Sequence, residues 1–331
     1  MLFSEWSTEI LFVTDLLVRI GLAVRIIMRR RPPGVSLAWL AVVLIFPFAG
    51  AVVYLTFGEL RLGRRRALWV SRTHEQFQRW QEGLWQGTRV DWGAAGTDLE
   101  PLARLADATG GIPALPGNEL ELLTAADHVF PRLEQDIDTA LDTCHLEFYI
   151  WQVGGAADRI AEALLRAASR GVVCRVLVDG IGSREFLKSH LCRRLRAGGV
   201  AVRAALPSGL VRSAFVRFDL RLHRKIAIID SRVAYTGSMN LVDPCCFRQE
   251  AHVGQWVDAM VRARGPAVAA LAATFIEDWD METREGLDRL AAAARPSEPC
   301  PGETAAVQVV PSGPLLRNDA IQQILLMAIY A

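Results

Sequence analysis

Val35–Phe57 runs without a single charged residue. That is longer than the roughly 20 apolar residues a helix needs to cross the hydrocarbon layer of a bilayer. Pro47 lies inside the run, but a helix in lipid tolerates proline where neighbouring groups satisfy the freed backbone. A transmembrane helix is therefore predicted over 35–57. Ile10–Met28 is a weaker apolar stretch, interrupted by Asp15, Arg19 and Arg25. Asp15 and Arg19 stand one helical turn apart and can neutralise each other, so this stretch is predicted as a first span. A cleaved signal peptide is not expected, because Glu5 and Glu9 stand where Lys or Arg would be needed and an apolar run follows at once.

Charge fixes the orientation less firmly. Arg29, Arg30 and Arg31 fill the connection, and Arg61, Arg64, Arg65 and Arg66 follow the second run. The count favours a multi-pass anchor in a bacterial inner membrane with the rest of the chain on the cytoplasmic side. A shallow hairpin that never fully crosses would satisfy both clusters. Beyond it, Trp69, Phe77, Trp80 and Trp85 alternate with arginines. That pattern suits the interface of an anionic membrane, or equally a solvated helix with scattered aromatics. The Gly- and Pro-bearing segment up to Gly117 reads as juxtamembrane connection and linker.

From Asn118 the pattern turns to alternating strand and helix. Glu119–Leu123 is extended, Val129–Asp142 amphipathic, and His145–Trp151 β-rich; Ala157–Ser169 is helical and Val172–Asp179 is an apolar strand suited to a sheet covered on both faces. A layered α/β domain over 118–300 is predicted. Gly180-Ile181-Gly182 follows a strand, but position 185 is Glu, so the dinucleotide-binding fingerprint fails and a turn is expected. The basic stretch from Arg193 to Arg224 is interleaved with Leu206, Leu210, Val211, Phe215 and Phe218. It suits anionic phospholipid headgroups better than nucleic acid, against the alternative of a solvated surface. Overall charge gives no pull toward nucleic acid, with 37 basic against 36 acidic residues. The six cysteines form no CxxC pair and the six histidines no HExxH, so reduced thiols and no metal are expected.

The chemistry is concentrated in His223-Arg224-Lys225-Ile226-Ala227-Ile228-Ile229-Asp230, an HxKxxxxD sequence, followed by Gly237-Ser238-Met239-Asn240. On an extended strand His223 and Lys225 point to one face. An imidazole and an ammonium can then meet one phosphate, with Ser238 and Asn240 as further donors to its oxygens.

These residues resemble the phospholipase D superfamily signature. Leu55-Thr56-Phe57-Gly58, Phe148-Tyr149-Ile150-Trp151-Gln152, Tyr235–Pro244, Val253-Gly254-Gln255-Trp256 and Glu277-Asp278-Trp279 are similar to the bacterial cardiolipin synthase branch of it. The resemblance implies a phosphatidyltransferase that needs no cofactor. His223 would attack phosphatidylglycerol to give a phosphatidyl-histidine and release glycerol, and a second phosphatidylglycerol would complete cardiolipin. Lys225, Ser238 and Asn240 would hold the phosphate. Asp230 would complete the catalytic motif, more as a positioning carboxylate than as a base, and Glu250 would orient an imidazole near the substrate.

The family pairs two such motifs, and this sequence has one. Val307–Pro311 and Asn318–Ala331 loosely repeat the strand and helix of Leu120–Asp142, so 301–331 is expected to be the start of a second domain, cut short. A homodimer or a separate chain would then supply the second histidine. A dimeric phosphodiesterase and a non-catalytic lipid-binding membrane remnant are the alternatives.

Overall fold

The computed structural model describes residues 2–29, 33–58, 64–95, 98–206, 221–245, 257–302, 304–312 and 320–330. The chain divides into two compact units, the smaller holding the described residues up to Arg64.

In the smaller unit α1 (Leu2–Met28) is continuous, whereas the uncharged run is not one helix. It forms α2 (Pro33–Ile45), breaks over Phe46–Phe48, and resumes as α3 (Ala49–Val53) with a wider π turn over Tyr54–Gly58. Pro47 has no N–H to continue the ladder, and its ring collides with the preceding turn. Among the described residues no helix is long and apolar enough to cross a membrane. The single span expected over Val35–Phe57 is therefore replaced by two shorter arms. Leu22, Ile26, Val43, Ala51 and Tyr54 form the unit's core.

The larger unit is built on an eight-stranded mixed sheet. Its strands are β1 (Leu115–Leu123), β2 (Thr143–Phe148), β3 (Val173–Asp179), β4 (Ala201–Ala205), β5 (Lys225–Ile229), β6 (Val233–Gly237), β7 (Met260–Arg264) and β8 (Ala305–Val307), in the order β4-β3-β2-β5-β6-β7-β1-β8. β2, β3 and β4 are parallel. Their crossovers contain α7 (Ala156–Ser169) and α8 (His190–Ala197), since parallel neighbours need a long connection. The β5–β6–β7–β1 series is antiparallel.

Both faces are covered, which explains why β3 and β5 read as mostly apolar runs. On one face α6 (Ala126–Asp138) and α7 bring Phe130, Leu133, Ile160 and Leu164 against Leu146, Phe148, Val176 and Ile229. On the other, α9 (Ala267–Thr283) brings Val268, Phe275 and Ile276 against Leu177, Ile226 and Ile228. α4 (Arg64–Leu84) packs on this second side. Trp69, Phe77 and Trp85 are buried there, and the Trp69 indole donates to Asp280 at 2.7 Å. These aromatics therefore do not face a membrane interface: three of the four named in the sequence are core.

Two further segments form regular structure. The stretch read as linker contains α5 (Glu100–Gly110), and Ile112 and Leu115 are buried beyond it. In the tail, β8 pairs antiparallel with β1 at the edge of the same sheet, and α10 (Ala320–Tyr330) packs on α5.

Candidate active site

Register places the functional residues at one end of the sheet. Phe148 of β2 faces Lys225 of β5, Ile226 faces Thr236 of β6, and Gly237 faces Met260 of β7. The start of β5 thus meets the ends of β2 and β6. Beyond the strands Trp151 bridges Leu241, Leu241 N–H donates to Ile150 at 3.1 Å, and Gln152 N–H donates back to Leu241 at 2.9 Å. The two loops are zipped together beside the motif.

His223 is exposed at this end. Its imidazole stacks on the Tyr149 ring, with centroids 4.4 Å apart and planes at 24°. Lys225, half-buried, holds its Nζ 5.5 Å from the same ring centroid and donates to the His223 carbonyl at 2.6 Å. Burial pushes the Lys225 ammonium below its ordinary pKa, while the Asp258 carboxylate opposes that shift. An aromatic face attracts a cation, so Tyr149 gathers both motif side chains on one surface.

Asn240 and Ser238 are held by backbone. The Asn240 Oδ1 accepts from Ile150 N–H at 3.0 Å, which fixes the amide beside the end of β2. Ser238 Oγ accepts from Ala259 N–H at 3.0 Å, and Ser238 N–H donates to Ala259 O at 2.9 Å. Gly237 allows this approach: a Cβ there would lie 2.2 Å from the Ala259 oxygen.

Asp230 is not brought to these groups. It follows the opposite end of β5, about 17 Å away at 3.4 Å per residue for five residues. Its carboxylate accepts from the N–H groups of Leu141, Asp142 and Thr143 at 2.7–2.8 Å. These bonds tie the end of β5 to the start of β2. Glu250 lies outside the described residues.

The failed dinucleotide turn has a different use. Asp179, fully buried, accepts from Ile181 and Gly182 N–H with Oδ1 at 2.9 and 2.8 Å, and from Leu222 N–H with Oδ2 at 3.1 Å. It joins the end of β3 to the residue immediately before His223. Ser183 Oγ donates to Tyr149 O and accepts from Trp151 N–H. A Cβ on Gly182 would lie 2.6 Å from Tyr149 O and 2.8 Å from Cε2 of its ring. Tyr149, Asp179, Gly182 and Asp258 were not among the residues expected at the site. The signals were present, as an aromatic strand end and a Gly-Ile-Gly turn, but nothing in the local pattern tied them to His223.

Behind the motif, Arg224 points to the other face, pairs with Asp278 and donates to Ser312 O at 3.0 Å. Glu147 and His145 are fully buried on that face of β2. Burial raises the Glu147 carboxyl to about 7, with Arg224 opposing, and lowers His145 to about 3, with Arg175 adding to the effect. The cysteines Cys144, Cys174 and Cys192 are buried and free. Among the described residues no group of three or more His, Cys, Asp or Glu side chains is placed to hold a metal ion.

Residues 133–279 match the family described as cardiolipin synthase, PLD-like domain, and residues 18–59 match the phospholipase D-nuclease N-terminal family. The chain belongs to the phospholipase D superfamily. Within it, the sequence is 41% identical over 313 residues to cardiolipin synthase A of Yersinia pseudotuberculosis, and equally to that of Yersinia pestis, covering 94% of this chain and 64% of each relative. The chain thus spans less than two thirds of the length of these curated relatives. Among solved structures it is similar to NucT from Helicobacter pylori, at 14% identity and a TM-score of 0.38, covering 50% of this chain and 98% of that one.

Proposed function

We propose that this chain carries the nucleophilic site of a membrane-bound phosphatidyltransferase that converts two phosphatidylglycerol molecules to cardiolipin and glycerol. The observation that carries the reading is the convergence of His223 and Lys225 on Tyr149 at an open end of the sheet. It is supported by the identity to cardiolipin synthase A. The His223 imidazole attacks the phosphorus of phosphatidylglycerol, and the bond to the glycerol oxygen breaks. The Lys225 ammonium and the Asn240 amide, with Ser238 beside them, balance the charge on the non-bridging oxygens. The terminal hydroxyl of a second phosphatidylglycerol then attacks the phosphatidyl-histidine, regenerating the imidazole.

The departing glycerol oxygen needs a proton, and the attacking hydroxyl must lose one. Once His223 is bonded to phosphorus it cannot do this. These 331 residues hold one HxKxxxxD, so the acid–base role is assigned to a second motif histidine outside them, whether in further sequence of the same polypeptide, a second copy or another chain. The substrates imply attachment to an anionic membrane through the N-terminal unit, with the sheet on the cytoplasmic side. The test is lipid analysis of labelled phosphatidylglycerol incubated with the reconstituted chain and with His223→Ala. Cardiolipin from the parent alone is expected. Cardiolipin from both overturns the role of His223, and none from either overturns activity by this chain unaided.

A further inference from the structure

The broken uncharged run in the N-terminal unit folds back on itself. As α3 advances, its contacts move backward along α2. A Cβ on Gly50 would lie 2.3 Å from Val42 O and 3.0 Å from the Val43 Cα. Four residues on, the Tyr54 ring meets Trp39 edge-on, with centroids 5.6 Å apart. The two arms are therefore antiparallel, with Phe46-Pro47-Phe48 as the tip. At 1.5 Å per residue, the 13 residues of α2 reach only about 20 Å, short of the roughly 30 Å hydrocarbon layer.

The tip is apolar outside and polar only where it is enclosed. Leu37, Ile45, Phe46 and Val52 are more than half exposed, a surface costly to leave in water. A helix broken at proline frees backbone groups, and hydrocarbon offers them no partner. Here α1 supplies both. Asp15 Oδ1 accepts from Phe48 N–H at 2.9 Å, Arg19 donates to Leu44 O at 2.7 Å, and the two side chains pair at 2.5 Å. Asp15 is buried. Two of the three charges that interrupt the first apolar stretch are thus the groups that satisfy the tip.

Arginines flank both ends of the hairpin in the sequence, at Arg29–Arg31 and at Arg61 and Arg64–Arg66. We infer that residues 33–58 form a re-entrant membrane hairpin, which enters and leaves through one leaflet and sets both arginine clusters against the anionic headgroups of a single membrane face. The occupant of the apolar surface is lipid hydrocarbon. An ordinary crossing would put one cluster on each side, against the tendency of Lys and Arg to collect on the cytoplasmic face. A re-entrant path is admissible in lipid only where protein groups cover its backbone, as Asp15 and Arg19 do.

This inference rests on the membrane attachment proposed above, and its test separates the two. In the full chain with Cys245, Cys246 and Cys300 changed to Ser, single cysteines are placed by Arg31→Cys, Gly63→Cys and Phe46→Cys. Each chain is treated with a membrane-impermeant maleimide in right-side-out and in inverted vesicles of bacterial inner membrane. Positions 31 and 63 are expected to label in the same vesicle orientation, with position 46 protected in both. Labelling of 31 and 63 in opposite orientations overturns the inference and restores a crossing span. Labelling of 46 also overturns it, because the tip would then be in water. Release of the whole chain by a carbonate wash removes membrane attachment itself, and with it the inference.

Discussion

The His223 imidazole lies against the ring of Tyr149, with centroids 4.4 Å apart, and Lys225 Nζ lies 5.5 Å from the centroid of the same ring. The aromatic surface limits how far the imidazole can turn between turnovers. An aromatic pair of this kind contributes about 0.5–1.5 kcal/mol beyond area burial, so Tyr149→Leu should lower kcat about 2- to 10-fold with a smaller change in KM. Tyr149→Phe should retain most of the rate, because the ring and not the hydroxyl makes the contact. Steady-state transfer kinetics measure the rates. NMR of histidine-labelled protein measures the geometry: the ring-current shift of the His223 protons should persist in the Phe variant and vanish in the Leu variant. A Phe variant as slow as the Leu variant would assign the effect to the hydroxyl.

Gly182 controls the same contact from the β3 turn. Alanine there would place its Cβ 2.6 Å from Tyr149 O and 2.8 Å from the ring. The backbone oxygen cannot rotate away, so the turn or the end of β2 must shift, and overpacking of this kind costs about 1–3 kcal/mol. Gly182→Ala should lower the thermal midpoint and slow transfer. Gly83→Ala is the control, since a Cβ there would meet nothing within 4 Å. Equal effects from both would reject the ring contact as the cause.

How far the sequence revealed these features depends on the range of each signal. HxKxxxxD is local, and strand periodicity alone places His223 and Lys225 on one face. The crossover from β2 to β3 was readable for the same reason, through a β-rich segment, a helix and an apolar strand. Tyr149 and Asp179 reach the site only through the pairing of β5 with β2 and the bond from Leu222 to Asp179, which no local period encodes. Composition misled for α4, because Trp69, Phe77 and Trp85 among arginines fit an interfacial helix as well as one packed on α9. Hydropathy likewise recognised the apolar run 35–57 but not its return at Pro47, which depends on Asp15 and Arg19 from another helix.

Asp230 stands at the end of β5 away from His223 and Lys225, bonded to the start of β2. Three backbone N–H groups converge on its carboxylate, and its own φ is +53°, a conformation that Asp and Asn adopt more readily than bulky residues. Hydrogen bonds to a charged group contribute about 1.5–3 kcal/mol each when unscreened. At this half-exposed position the whole set should amount to about 2–3 kcal/mol. Asp230→Ala should therefore lower the urea midpoint by that equivalent, while Asp230→Asn keeps the backbone conformation and loses less. Turnover per folded molecule should change little in either. A large fall in kcat for Asp230→Asn at unchanged stability would instead place the carboxylate in the reaction.

The buried pair behind the motif gives stability a two-sided pH dependence. Glu147 is held at about 7 against an ordinary 4.5. It is neutral in the fold where the unfolded chain would ionise it, so its contribution is complete below pH 4.5 and is lost as pH rises through 7. His145 is held at about 3 against 6.5, so its contribution is complete above pH 6.5 and is lost as pH falls toward 3. Between 4.5 and 6.5 the two slopes oppose and should nearly cancel. Each amounts to a few kcal/mol, at about 1.4 kcal/mol per pH unit. Thermal midpoints followed by near-ultraviolet circular dichroism separate them. Relative to the parent, Glu147→Gln should remove the loss above pH 6.5 and leave stability rising with pH from 4.5 to 6.5. His145→Gln should do the reverse, leaving stability falling from 4.5 to 7. Parallel profiles for all three proteins would show that neither group titrates in the folded interior.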